Sequence, residues 1–245
     1  VATAPAGDQQ RLLEVQDADL RIQQARHRLD TLPQIAQIAE LSGRAADLHE
    51  DVIARATEVS DLRRDVTKAE DDVQSVRTRA ERDQARLDSG TGSAKDLQAL
   101  QAELEVLTRR LSDLEDIELE AMQSVENAEK LHADATTQRD AITAQLDVLE
   151  AERAHAAAEI ADEIADIEAE RVMKAEGIDA GLLSLYERLR ASNGGVGAAL
   201  LQGRVCMGCN MTLNPGDVQA MTSAPSDQIA RCEECGRILV RKADA

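Results

Sequence analysis

Leu97, Leu100, Leu104, Leu107, Leu111 and Leu114 alternate steps of three and four residues. That spacing keeps an apolar stripe on one side of an α-helix and defines the a/d seam of a coiled coil. The pattern continues through Ala128, Ala135, Ile142, Leu146 and Leu149 to Ile160 and Ile167. His132, Arg139 and Arg153 also fall on it, where long side chains still reach water. An earlier stretch carries the same signature. Val15, Ala18, Ile22, Ala25, Leu29 and Leu32 form one register, and after Pro33 a second runs from Ile38 through Val52, Val59, Ala69 and Val73 to Ala80. Proline inside a helix removes a hydrogen bond and clashes with the preceding turn, so a kink is expected near residue 33. Gly90 and Gly92 permit a tight reversal near 88–93, and Ser93 followed by Asp96 predicts the N-cap of the returning helix.

Two arms of similar length around a glycine turn predict a mainly α chain, with residues 1–174 forming a long antiparallel coiled-coil hairpin. Pairing between chains fits the same seam and stays open as an alternative. Composition supports long helices over a single globular core. Phe and Trp are absent and Tyr186 is the only aromatic, whereas aromatic side chains bury about 150–250 Å² each in ordinary cores. No run approaches the ~20 apolar residues of a membrane span, and "VATAPAGDQQ" lacks the basic start and apolar centre of a secretory signal. The expectation is a soluble cytoplasmic protein with no membrane partner.

All four cysteines lie in "RVCMGCNMTL" and "RCEECGRILV". In a reducing compartment, paired C-x-x-C motifs bind metal rather than form disulfides. Two such pairs joined by a loop make the four-cysteine zinc-ribbon pattern, although the 22 residues here exceed the usual ~15–20. Cys206, Cys209, Cys232 and Cys235 are therefore the expected ligands of one structural Zn2+ per chain. Four protein ligands leave no open position for catalysis. Asn210 and Gly236 follow the second cysteine of each pair and tolerate the left-handed backbone such knuckles need.

Residues 198–245 are too few to fold on apolar burial alone, and structural zinc supplies about 10–16 kcal/mol in comparable peptides. "VGAALLQGRV" predicts a strand pair, Asn214-Pro215 the start of a short helix over Gly216–Met221, and "DQIARC" with "RILVR" the rest of a small sheet. Residues 175–197 read as a joining segment. Leu182, Leu185, Tyr186 and Leu189 share one helical face, Gly194-Gly195 form a hinge, and Tyr186 is expected to pack rather than to stack on a base.

"LYERLR", "GRVCMGCNMTLNP" and "CEECGRIL", after a long helical hairpin, resemble the bacterial C4-type zinc-ribbon coiled-coil proteins over essentially the whole chain. The resemblance implies the same four cysteine ligands. Members are commonly described as nucleic-acid-binding, some as partners of an alternative sigma factor or of secretion components, and one as an RNA binder. Val240 stands where many relatives carry an aromatic, which weakens any carry-over of base stacking.

The expected function is a non-enzymatic zinc-binding adaptor whose rod positions the ribbon against nucleic acid or a protein of the transcription or RNA machinery. Arg204, Arg231, Arg237, Arg241 and Lys242 are the candidate contacts, through counterion release from phosphates. Aromatic stacking, a main source of single-strand affinity, is absent from the ribbon. Charge points the other way. From Ala198 onward five bases match five acids, so the net −19 rests wholly on the preceding residues. Residues 150–170 hold eight acids, a block that repels phosphate and attracts basic protein surfaces. A protein–protein adaptor or chaperone without direct nucleic-acid binding is the alternative. His27, His49, His132 and His155 all lie in the rod, away from the cysteines. With no phosphate-cradling loop and no paired nucleophile and base, no enzymatic activity or small-molecule substrate is expected.

Overall fold

The structure, a computed structural model, describes residues 2–241. Its elements run α1 (Ala6–Asp30), α2 (Pro33–Asp88), α3 (Ala94–Ala175), α4 (Ala180–Ser192), β1 (Ala198–Gln202), β2 (Val205–Cys206), α5 (Pro215–Ser223), β3 (Ala230–Arg231) and β4 (Ile238–Arg241). The chain divides into two compact units. One contains the residues up to Ile35 and from Ala151 onward, the other Ala36–Glu150.

In the Ala36–Glu150 unit, α2 and α3 run antiparallel, as the cross-helix pairs Arg63–Glu129, Arg77–Glu115 and Arg79–Glu103 require. These pairs are largely exposed and contribute at most about 1 kcal/mol each. Val52, Val59, Ala69 and Val73 are buried on the seam with Leu107, Leu114, Ala128, Ala135 and Ile142, so apolar burial holds the helices together. The reversal lies between Asp88 and Ala94, with Gly90 at φ 63° and Gly92 at φ 146°. Ser93 and Asp96 exchange hydrogen bonds there: Ser93 N and Oγ donate to Asp96 Oδ2 (2.9 and 2.6 Å), and the Asp96 amide donates to Ser93 Oγ (3.3 Å).

Pro33 does not kink a continuous helix. Helix α1 ends at Asp30, Thr31 caps it by donating from Oγ1 to the His27 carbonyl (2.7 Å), and Pro33 opens α2. At a first helical position the missing N–H costs nothing, because that amide would have no helical partner. The register change is thus a break between two helices.

Helix α1 packs in two directions. Ala18 and Ile22 join Ile164 and Ile167 of α3, flanked by Arg21–Glu170, Arg26–Glu168 and Arg28–Glu163. Leu12 and Val15 instead enter a core with Leu182 and Tyr186 of α4 and Ala198, Ile238 and Val240 of the sheet. Ahead of α1, the Ala4 amide donates to the Asp227 carbonyl (2.8 Å) and the Ile229 amide to the Ala2 carbonyl (3.0 Å). The division into a rod at 1–174 and a ribbon at 198–245 therefore does not describe the packing: the start of the chain is built into the ribbon.

The sheet order is β2-β1-β4-β3. Strands β1 and β2 form a hairpin through Gly203 at φ 58°, β3 pairs antiparallel with β4, and the central β1–β4 pair is parallel. Successive side chains point to opposite faces of a strand. Hence Ile238 and Val240 meet α1 and α4, while Leu239 lies with Ala199, Leu201, Leu213 and the buried Cys206 and Cys232. Helix α5 starts at Pro215 under an Asn214 cap, whose Oδ1 accepts the Gly216 amide (2.9 Å). Among the described residues no helix is long and apolar enough to cross a membrane.

Candidate metal centre

The two C-x-x-C loops have the same backbone design. In the first, the Asn210 amide donates to the Cys206 carbonyl (2.8 Å) and the Cys206 amide to the Met211 carbonyl (3.1 Å). In the second, Gly236 donates to Cys232 (2.8 Å) and Cys232 to Arg237 (2.9 Å). Both loops close through the predicted left-handed residues, Asn210 at φ 59° and Gly236 at φ 71°. Glycine adopts this conformation freely and asparagine at little cost.

The knuckles bring four thiols to one point. All four Sγ atoms lie within 4.8 Å of one another, with Cys206–Cys235 and Cys209–Cys232 each 3.9 Å apart. Tetrahedral zinc with Zn–S of about 2.3 Å separates its sulfurs by roughly 3.8 Å. A disulfide needs about 2.05 Å, and all four cysteines are free. The donor set thus fits a single structural Zn2+. Burial pushes the Cys206 thiol up and the Cys232 thiol up to about 12, against amide N–H groups in each loop that favour the thiolates. Burial also raises Cys235, but the Arg237 amide and guanidinium together with Cys232 and Cys209 outweigh it, bringing it to about 7. A metal entering this site displaces protons from the sulfurs it binds.

The CT398-like coiled coil hairpin domain matches residues 15–194, and the C4-type zinc ribbon domain matches residues 205–239. The chain belongs to the CT398-like coiled-coil hairpin family. An uncharacterised protein of Mycobacterium tuberculosis is 35% identical over 241 residues, 97% of each chain. A solved Mycobacterium smegmatis structure superposes with a TM-score of 0.86 at 30% identity, covering 98% of this chain and all of that one. The structure of CT398 from Chlamydia trachomatis shares the fold, with a TM-score of 0.69 at 19% identity over 96% of this chain and 98% of that chain.

The basic residues of this family member's ribbon are largely turned to internal work. The Arg241 guanidinium donates to five carbonyls, those of Met221, Ala224, Pro225, Ser226 and Gln228, at 2.9–3.0 Å. It thereby satisfies the end of α5 and the loop beyond it. Arg237 donates to the carbonyls of Val196 (3.0 Å) and Asn193 (2.8 Å). Arg204 and Arg231 each reach one carbonyl, Leu213 (3.3 Å) and Gly236 (2.9 Å), and remain exposed. Lys242 lies outside the described residues. Exposed are Met207 (48%) and Met211 (51%) on the first knuckle and Glu233 and Glu234 on the second.

Tyr186 packs, as its helical face predicts, and is fully buried. Its hydroxyl donates to Asp19 Oδ2 (2.6 Å), and Arg171 Nε and Arg190 Nη1 donate to Asp19 Oδ1 (2.7 and 2.9 Å). Glu187 pairs with both arginines. This node joins α1, α3 and α4. Gln16 adds a second tie, accepting from the Gly197 amide (2.7 Å) and donating to the Gly195 carbonyl (3.0 Å). Sequence reasoning passed over Asp19, Arg171, Arg190 and Gln16. One signal was available: Gln9, Gln16 and Gln23 recur every seven residues on α1, an amide stripe next to the apolar one.

Proposed function

We propose that this protein is a non-enzymatic adaptor whose zinc ribbon presents a rigid contact surface to a protein partner. The observation that carries this reading is the division of labour on the ribbon. Arg237 and Arg241 hold backbone carbonyls, while the knuckles expose Met207, Met211, Glu233 and Glu234. Methionine is over-used on adaptable protein-binding surfaces, and two glutamates favour a basic protein over phosphate. Zinc acts by fixing both loops, so the exposed side chains are ordered before the partner arrives. The site of contact is the ribbon, and a protein of the transcription or RNA machinery is the partner class that the resemblance implies.

Direct nucleic-acid contact is the second reading, favoured by the exposed Arg204 and Arg231. A photo-crosslinking amino acid placed at Met207 or Met211 in the native cell separates the two. Protein adducts at these positions are expected. RNA or DNA adducts, together with salt-sensitive oligonucleotide binding that Arg204→Gln plus Arg231→Gln abolishes, would replace the first reading with the second.

A further inference from the structure

Arg237 stands between the metal centre and the segment joining α4 to β1. Its backbone belongs to the second knuckle, where its carbonyl accepts the Cys232 amide (2.9 Å). Its aliphatic stem crosses the first knuckle at Gly208, where a Cβ would lie 2.8 Å from Arg237 Cδ and 2.9 Å from Ala199 Cβ. Only glycine leaves the stem that path. The guanidinium ends on the joining segment, at the carbonyls of Asn193 and Val196, and the next residue, Ile238, donates its amide to the Gly197 carbonyl (3.0 Å). One side chain thus touches both loops that carry the cysteines and two of the five residues that follow α4.

The same segment has a second tether, Gln16 of α1, which accepts from the amides of Gly197 (2.7 Å) and Ala198 (3.3 Å). The two tethers differ in what they depend on. Gln16 sits on α1, which is held by Ala18 and Ile22 against Ile164 and Ile167 of α3, away from the cysteines, whereas Arg237 runs from one knuckle across the other. We propose that Arg237 is a positioning residue through which zinc occupancy sets the order of residues 193–197. The effect then reaches α4, whose Tyr186 and Arg190 dock on Asp19. The planar fork of arginine is required, because a lysine ammonium cannot serve two carbonyls in fixed directions.

Amide hydrogen exchange on the full-length zinc-loaded chain tests this, read at Gly195, Gly197 and Ala198. Metal content and the tetrathiolate absorption of the cobalt-substituted protein are followed in parallel. Compared at equal metal occupancy, as metal content and the cobalt spectrum report it, Arg237→Gln lets the three amides exchange faster by about tenfold or more, the scale of one lost charged hydrogen bond. Removing zinc from the wild type with a chelator has the same effect on them, and removing it from the variant adds little. Arg231→Gln, which touches the second knuckle but not the joining segment, leaves them unchanged. Unaltered protection in zinc-loaded Arg237→Gln overturns the proposal. So does a variant that responds to zinc removal as fully as the wild type. Should Arg237→Gln fail to hold metal, Arg237→Lys is measured by the same criteria.

Discussion

Asp19 is a carboxylate only 4% exposed that accepts hydrogen bonds from two guanidinium groups and a phenol. Burial of a charge is tolerated only with such partners. Asp19→Asn would leave Arg171 and Arg190 facing an amide. Because Arg190 is about a third exposed, solvent moderates the loss, and about 2–3 kcal/mol is expected in denaturant unfolding of this unit. A change below about 0.5 kcal/mol would mean the node is not structural. Burial, and then the bond to Asp19, raise the Tyr186 phenol well above its ordinary value. The folded state therefore holds this proton more tightly than the unfolded one. Stability is fully present below the unfolded value of about 10 and falls as pH rises beyond it. Tyr186→Phe should remove that alkaline slope, seen as a melting temperature less sensitive to pH above 10 than the wild type. Neither Asp19 nor Arg241 was legible beforehand. A charged residue in a charged helix or at the end of a strand reads as solvated, and their partners lie 152 residues away for Asp19 to Arg171 and 13–20 for Arg241. Asn210, Gly236 and the Ser93–Asp96 cap were legible because each acts on its own immediate backbone.

Between elements, α4 approaches the strand entrance closely at Gly197. A Cβ there would fall 2.6 Å from the Tyr186 carbonyl and 2.8 Å from its ring. Gly197→Ala should cost about 1–3 kcal/mol by overpacking, with thermal melting as the readout. The knuckles make a different demand. With Cys232 pushed up to about 12 and Cys206 also raised, zinc binding must release protons, so affinity should weaken on acidification. Chelator competition at pH 6 and pH 8 checks the sign: tighter binding at pH 6 would contradict tetrathiolate ligation. Replacing Cys206 with Ser should raise exchange in both knuckles and in residues 193–197, while the core shared by Leu12, Val15, Ile238 and Val240 and the helices of Ala36–Glu150 stay protected. Spacing alone suggested a ribbon that fails by itself; the shared core of Leu12, Val15, Tyr186, Ile238 and Val240 changes that expectation.

At the scale of the molecule, periodicity was enough to read the hairpin, because a coiled-coil seam repeats its instruction every turn. Cysteine spacing was enough to read the ribbon. What joins them was hidden, since it consists of single contacts between distant stretches: the amide stripe of α1, the pairing of residues 2–4 with 227–229, and the parallel alignment of β1 with β4. Arginines that look free for phosphate in the sequence prove to be internal braces. An Arg237→Ala plus Arg241→Ala pair would therefore confuse misfolding with lost binding, and Arg204 and Arg231 are the informative positions.

The Gln10 side chain reaches the Arg241 carbonyl across 231 residues. A ribosome must therefore translate β4 before the first half of α1 finds its full cover, and Leu12 and Val15 travel uncapped through most of synthesis. Contacts so far apart form slowly once the chain is free. A nascent chain stalled ahead of Ile238 should keep the first half of α1, around Leu12 and Val15, open to proteases, and release past Arg241 should close it.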